Sequence, residues 1–354
     1  MKNIAIFLVF TMVMACSRPQ APKQALDFEK MIQPVSKSSV LKSDDYWIWG
    51  ASMVRTDDDT CHLFFSRWPK SDPFNSWVLK SEIAYATAPN PEGPYSVKGA
   101  VLKGRGAGHW DALNAHNPHI KKFGDKYYLY FVSQDSRDFG MGEWQNAIFS
   151  QRIGVAVADS PTGPWTISET PLIDIQEGKA AHGYVTNPSV CQGRDGTYLM
   201  IFKSRPENWA QIEGFTSVQC VATAPAPDGP FTIAAEPILS EATAEDPFLW
   251  FQDSTYYAIV DDQYGDYIGY HGLALFQSAD GINWKASEHP VVSKVQIAWD
   301  DSTITKLNHL ERPQLWFDKD GRPAMLFCAA QELGPDSVLR SYNVHIKLKS
   351  NETK

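Results

Sequence analysis

Four prolines in this chain follow residues that can do chemistry. His116-Asn117 precedes Pro118, Thr186-Asn187 precedes Pro188, Glu245-Asp246 precedes Pro247 and Glu311-Arg312 precedes Pro313. Each pair leads into a largely apolar run, where ordinary strand packing asks for no polar group. Glu245, Asp246 and Glu311 are the acids of the set. Carboxyl groups that converge repel one another as anions, so one holds its proton near neutrality while a neighbour stays ionised and can accept one. That pairing is general acid–base chemistry. The strongest additional acceptor is Asp111 in "GHWDALNAHNP" (108–118), a loop leading straight into His116-Asn117, with Asp45 as second choice. His116 and His309 each adjoin one of these runs and can contact a substrate or bind a metal. Arg67, Arg205 and Arg312 carry guanidinium forks suited to a carboxylate or sulfate. Trp47, Trp49, Trp68 and Trp110 carry flat rings suited to stacking. Structural roles stay open for the same residues: a strand cap for Asp246, an ion pair for Glu311 and Arg312, a plain loop residue for Asp111, and packing for the tryptophans.

The elements that must position these residues recur. The stretches 50–66, 116–133, 186–204, 245–262 and 311–330 each read as a strand, a polar turn and a second strand. The prolines are spaced by 70, 59 and 66 residues, and Ala51 occupies the first equivalent position, 67 residues before Pro118. A near-constant period of this length implies a closed array. After each of the first four hairpins comes an alternating strand, a Gly turn and an aromatic residue opening a further strand, as in "IAYATAPNPEGPYSV" (83–97) and "IGVAVADSPTGPWTI" (153–167). The fold expected is therefore all-β, a five-bladed β-propeller of four-stranded antiparallel blades; a two-domain sandwich is the alternative. Blade five lacks the last turn, so its outer strand should come from the N-terminal segment near residues 28–48. In such a propeller the start of each inner strand and the end of the next share one mouth of the central funnel. The leading pairs, Asn117, Asn187 and their partners, then ring one pocket together with the strand ends at Ser66-Arg67, Lys203 to Arg205 and Asp261-Asp262.

Five hairpins in register, with "EDP" in blade four and prolines at the other leading positions, resemble the five-bladed glycoside hydrolases of family 43 and its relatives, including family 117, over roughly residues 45–345. The resemblance implies an Asp base leading blade one, a second Asp that tunes, and a Glu acid leading blade four. Glu245 matches the acid. The base does not match, because Gly50-Ala51 stands where the family has Asp-Pro. Relatives in family 117 use a histidine as general acid, which the resemblance brings to His116 and His309. Cleaving a glycosidic bond needs one carboxylic acid for the leaving oxygen and one carboxylate to activate water or attack the sugar, and Asp111 with Glu245, Asp246 and Glu311 is the set expected to supply them.

Compartment and partners follow from the remaining sequence. Residues 1–15 read as a lipoprotein signal peptide: Lys2, an apolar run from Ile4 to Met14, then Val13-Met14-Ala15 leading into Cys16. Cys16 is the expected lipidation site, and residues 16–40 a tether and N-terminal segment ahead of a propeller over 41–350. No acidic run follows Cys16, which favours the outer membrane with the protein facing the periplasm. The net charge of −9 gives no case for nucleic acid, and the membrane is a partner only through the anchor. Cys61, Cys191, Cys220 and Cys328 show no CxxC spacing and read as buried thiols. No metal ligands or cofactor are expected, though a structural or water-bridged divalent cation has room in the central channel. The function expected is an exo-acting glycoside hydrolase trimming terminal sugars from an oligo- or polysaccharide. A phosphorylase of the family 130 type, needing a basic phosphate cradle, and a non-catalytic glycan-binding propeller are the alternatives.

Overall fold

A computed structural model describes residues 25–135, 137–211 and 216–349. The signal peptide, Cys16 and the tether as far as residue 24 lie outside the described residues. Five four-stranded antiparallel sheets follow one another along the chain. Blade one comprises Tyr46–Arg55, Cys61–Pro69, Glu82–Ala88 and Ser96–Leu102; the inner strands of blades two to five are His116–Phe123, His182–Gln192, Ala244–Gln252 and His309–Phe317. Blade five is completed by Val40–Leu41, which pairs with Val344 and Asn343. The N-terminal segment thus supplies the missing outer strand, and the ring closes without a covalent link.

Alternation decides the packing. Each strand of a blade shows one face to each neighbouring blade, so apolar side chains are needed on both faces and the core divides into clusters between blades. Ile48, Leu63 and Phe65 of blade one meet Met325 and Phe327 of blade five; Phe64 and Tyr85 on the opposite face meet Ile120 and Leu129 of blade two. Phe28 and Met31, in the short helix Phe28–Met31, are buried against blades four and five, which extends the packed body ahead of Val40. The four cysteines are buried free thiols.

One local device recurs at the start of every inner strand. Gly50, Asn117, Asn187, Asp246 and Arg312 have φ of 34, 51, 56, 52 and 54°, and the pairing register slips at each. Each is a β-bulge whose left-handed residue precedes Pro or, in blade one, Ala51; the bulge turns that side chain toward the axis. Asn and Asp tolerate this conformation better than other residues. The five positions form a ring. Asn117 Nδ2 donates to Asn187 Oδ1 at 2.8 Å, Asn187 Nδ2 donates to Asp246 Oδ1, and Arg312 N donates to Asp246 Oδ2 at 3.2 Å. Gly50 closes the circle: a Cβ there would come within 3.3 Å of both Arg312 Cγ and Asn117 Oδ1.

Two or three residues further down the inner strands, a second set of bonds crosses the axis. Val190 N donates to His119 Nε2 at 3.0 Å, so the proton is on Nδ1, which donates to Gln314 Oε1 at 2.8 Å; Ser52 Oγ donates to the same oxygen at 3.1 Å. Burial holds the His119 imidazole neutral, pushing its pKa down to about 3. This layer offers no direct ligands to a divalent cation. Both nitrogens of His119 are engaged, Ser52 and Gln314 bring no negative charge, and hard cations require several oxygen ligands including carboxylates.

Candidate active site

Above the ring opens a funnel of about 580 Å³. Its floor is built from the leading residues of the inner strands and Lys203, with the other cross-strand partners buried behind them. The register makes the partners Ser66, Val132, Lys203, Asp261 and Ala329, opposite Trp49, His116, Thr186, Glu245 and Glu311. The walls come from the connections between second and third strands: Phe74 and Trp77 in blade one, Trp144, Ile148 and Phe149 from the helix Glu143–Phe149 in blade two, and Gln263 and Tyr264 in blade four. Blade five has only a short turn there, so its side is open.

Each acid at the floor or buried just behind it has one basic partner. Lys203 Nζ lies 2.9 Å from Glu245 Oε1, Arg312 Nη1 lies 3.4 Å from Asp246 Oδ1, His309 Nδ1 lies 2.5 Å from Glu311 Oε1, and His271 Nε2 lies 3.1 Å from Asp261 Oδ1. Burial pushes the Glu245 carboxyl up, and the charges of Asp246 and Glu311 add to this while Lys203 opposes it. Asp246 is likewise raised by burial against the pull of Arg312. Asp261, wholly buried and faced by Glu311, Asp246 and Glu245, is pushed well up, whereas burial lowers its partner His271, so this pair prefers to be neutral. The Glu311 carboxylate raises His309. Burial and the nearby Arg312 charge keep His116 neutral; its Nδ1 is 2.8 Å from Ser81 Oγ and its ring stacks on Trp77 at 4.6 Å.

Trp49, His116, Asn117, Asn187, Arg205, Glu245, Asp246, His309 and Glu311 therefore come together on one surface, and Arg312 is buried behind Asp246. Three residues expected there lie elsewhere. Asp111 is fully buried outside the funnel, both carboxylate oxygens 2.8 Å from Arg105 Nε. Trp110 goes with it: Nε1 donates to Ser168 O at 3.0 Å and the indole packs on Phe131 and against Gly154. Their loop folds onto the outer edge of blade two instead of the axis. Arg67 pairs with Glu82 at 2.7 Å and stacks over Tyr46. It is one residue past the inward position, which Ser66 occupies, accepting from Asn117 N at 2.8 Å. The wall residues Trp77, Trp144, Tyr184 and Tyr264 were not singled out in the sequence; the only signal for most of them is the length of the segments joining second to third strands.

No family model matches the chain and no curated protein matches it in sequence. Solved structures do match the fold. A family 117 glycoside hydrolase produced by the marine bacterium Zobellia galactanivorans aligns with a TM-score of 0.62 at 15% identity over 91% of both chains. An endo-arabinase from Bacteroides thetaiotaomicron aligns with a TM-score of 0.55 at 16% identity over 92% of this chain and 99% of its own. An alpha-L-arabinofuranosidase from Lactobacillus brevis gives 0.56 at 14% identity, over 90% and 94%. In fold, this chain stands among the five-bladed propellers to which these hydrolases belong.

Proposed function

We propose that the protein is a glycoside hydrolase acting on the end of an oligo- or polysaccharide. The observation that carries this reading is the convergence of Glu245, Asp246 and Glu311 on the floor of an aromatic-walled funnel, each in a different electrostatic setting. Glu245 is the proton donor, since burial and like charges favour its neutral form. Glu311, held by the His309 imidazolium, is the carboxylate that takes the proton from an attacking water. Asp246, fixed by Arg312 and Asn187, tunes Glu245 by its charge. Water adds across the bond: hydroxide goes to the anomeric carbon and the Glu245 proton to the leaving oxygen. A funnel floored by the ring favours a chain end over a chain interior, which supports exo action. Phosphorolysis is less well supported, because the cations a phosphate cradle needs are engaged: Arg67 with Glu82, Lys203 with Glu245, Arg205 with Thr216 O and Arg312 with Asp246.

A panel of plant and algal oligosaccharides with product identification tests the reading. Glu245→Gln should lower turnover of the natural substrate by about 10²–10⁴-fold and bind it undiminished, with a smaller loss for nitrophenyl glycosides, whose leaving group needs little protonation. The donor must be protonated, so wild-type rates should fall as pH rises through the raised Glu245 pKa, and this limb should vanish in Glu245→Gln. Unchanged hydrolysis by Glu245→Gln would remove it as donor, and no release from any substrate would favour the non-catalytic glycan-binding reading.

A further inference from the structure

The mouth opposite the funnel holds a second cavity of about 630 Å³. It forms where the inner strands of blades two to five end, and Phe123, Trp250, Phe251 and Phe317 give it aromatic walls. Its volume is that of an ordinary small-molecule site. The bonds joining Ser52, Gln314, His119 and Val190 cross the axis between this cavity and the funnel, so the two are separate.

Lys121 enters the cavity from blade two. Among the described residues it has no hydrogen bond or ion pair; its Nζ sits 4.8 Å from the centre of the Phe248 ring. Burial pushes its pKa down to about 8, with no carboxylate near enough to oppose. The titratable neighbours do not supply a counter-charge: His119 is neutral and burial pushes the Cys191 thiol up to about 12. Asp253, Asp320 and Arg322 also line the cavity, and neither aspartate pairs with Lys121. A half-buried ammonium beside an aromatic ring with no counter-charge is unfavourable, and an anion placed against it offsets the cost. Aromatic walls add the requirement of a flat body for that anion.

We propose that this cavity binds a small organic carboxylate with a flat body, Lys121 taking the carboxylate and the aromatic walls the body. A pyranose uronate and an aromatic acid share this chemistry. The proposal is independent of the reaction in the funnel.

Calorimetric titration of the whole protein with galacturonate and with benzoate tests it, with galactose and benzyl alcohol as neutral probes and chloride at matched ionic strength. Saturable binding of either carboxylate, and of neither neutral probe, is expected, and which one binds identifies the body. Lys121→Met should weaken that binding at least about tenfold, Lys121→Arg should retain it, and hydrolysis in the funnel should be unchanged in both. Acylation of the Lys121 amine should show a midpoint near pH 8 that rises with bound ligand, a readout that does not depend on the variants folding. Equal binding by Lys121→Met, an equal effect from chloride, or no saturable binding of any probe would overturn the proposal.

Discussion

One backbone position per blade decides what side chain reaches the axis, and blade one gives it to glycine. Gly50 has φ +34° with Arg312 and Asn117 pressed against it, so an aspartate there would meet both strain and collision. The proton acceptor must therefore come from another blade, and Glu311 with His309 is the pair that lines the funnel. Asp111 is excluded by its partner. Arg105, six residues earlier, takes both of its oxygens, so Asp111→Asn should cost about 2–3 kcal/mol of stability, the usual worth of hydrogen bonds to a charged group. Turnover per folded molecule should stay at the wild-type level. Urea denaturation beside steady-state rates checks this, and a large rate loss at full stability would return Asp111 to the reaction. The leading pairs were legible in the sequence because proline after a polar residue in an apolar run marks the bulge. Arg67 was misplaced for a simple reason: strand alternation sends neighbours to opposite faces, and only the cross-strand register tells Ser66 from Arg67.

Blade boundaries were equally legible, since the repeat and the turn residues impose a near-constant spacing that few other architectures produce. The walls of the funnel were not. Trp77, Trp144 and Tyr264 sit in connections that no periodicity constrains, and a tryptophan in such a segment looks the same whether it packs a blade or lines a cavity. The outer strand of blade five is the element most exposed to test, because only Val40 and Leu41 pair as a strand with its neighbour, beside the bridge of Ile32 to Leu348 and the buried Phe28 and Met31. Leu41 is buried against blades one and five. Leu41→Ala should cost about 2–5 kcal/mol, the range for emptying a buried leucine site, measurable as a lower urea midpoint at unchanged slope. A cost near zero would mean that the ring is held shut elsewhere.

On the scale of the molecule, we propose that the chain is exported to the cell envelope and anchored there by a lipid at Cys16, and the fold presents a funnel on one mouth and the Lys121 cavity on the other. Export with a lipid at Cys16 suits an enzyme that meets oligosaccharides outside the cytoplasm. Cys16→Ala should block acylation and move the protein from the membrane to the soluble fraction, read by fractionation and by mass of the mature N-terminus; retention in membranes would remove the anchor. The shape itself, a closed ring of five sheets with a blind floor, was accessible from the repeat, whereas the cavity beneath it was not. Nothing in the order of residues shows that Lys121 lacks a counter-ion, because that depends on which side chains fail to reach it.

Turning the molecule by one blade carries each of the five left-handed positions onto the next. The scaffold consequently repeats one backbone device five times, carrying glycine, two asparagines, an aspartate and an arginine, and only the glycine slot leaves no room for a side chain. Because that device and the strand pairing carry the fold, propellers aligned over nine-tenths of their length keep one architecture at only 15% identity.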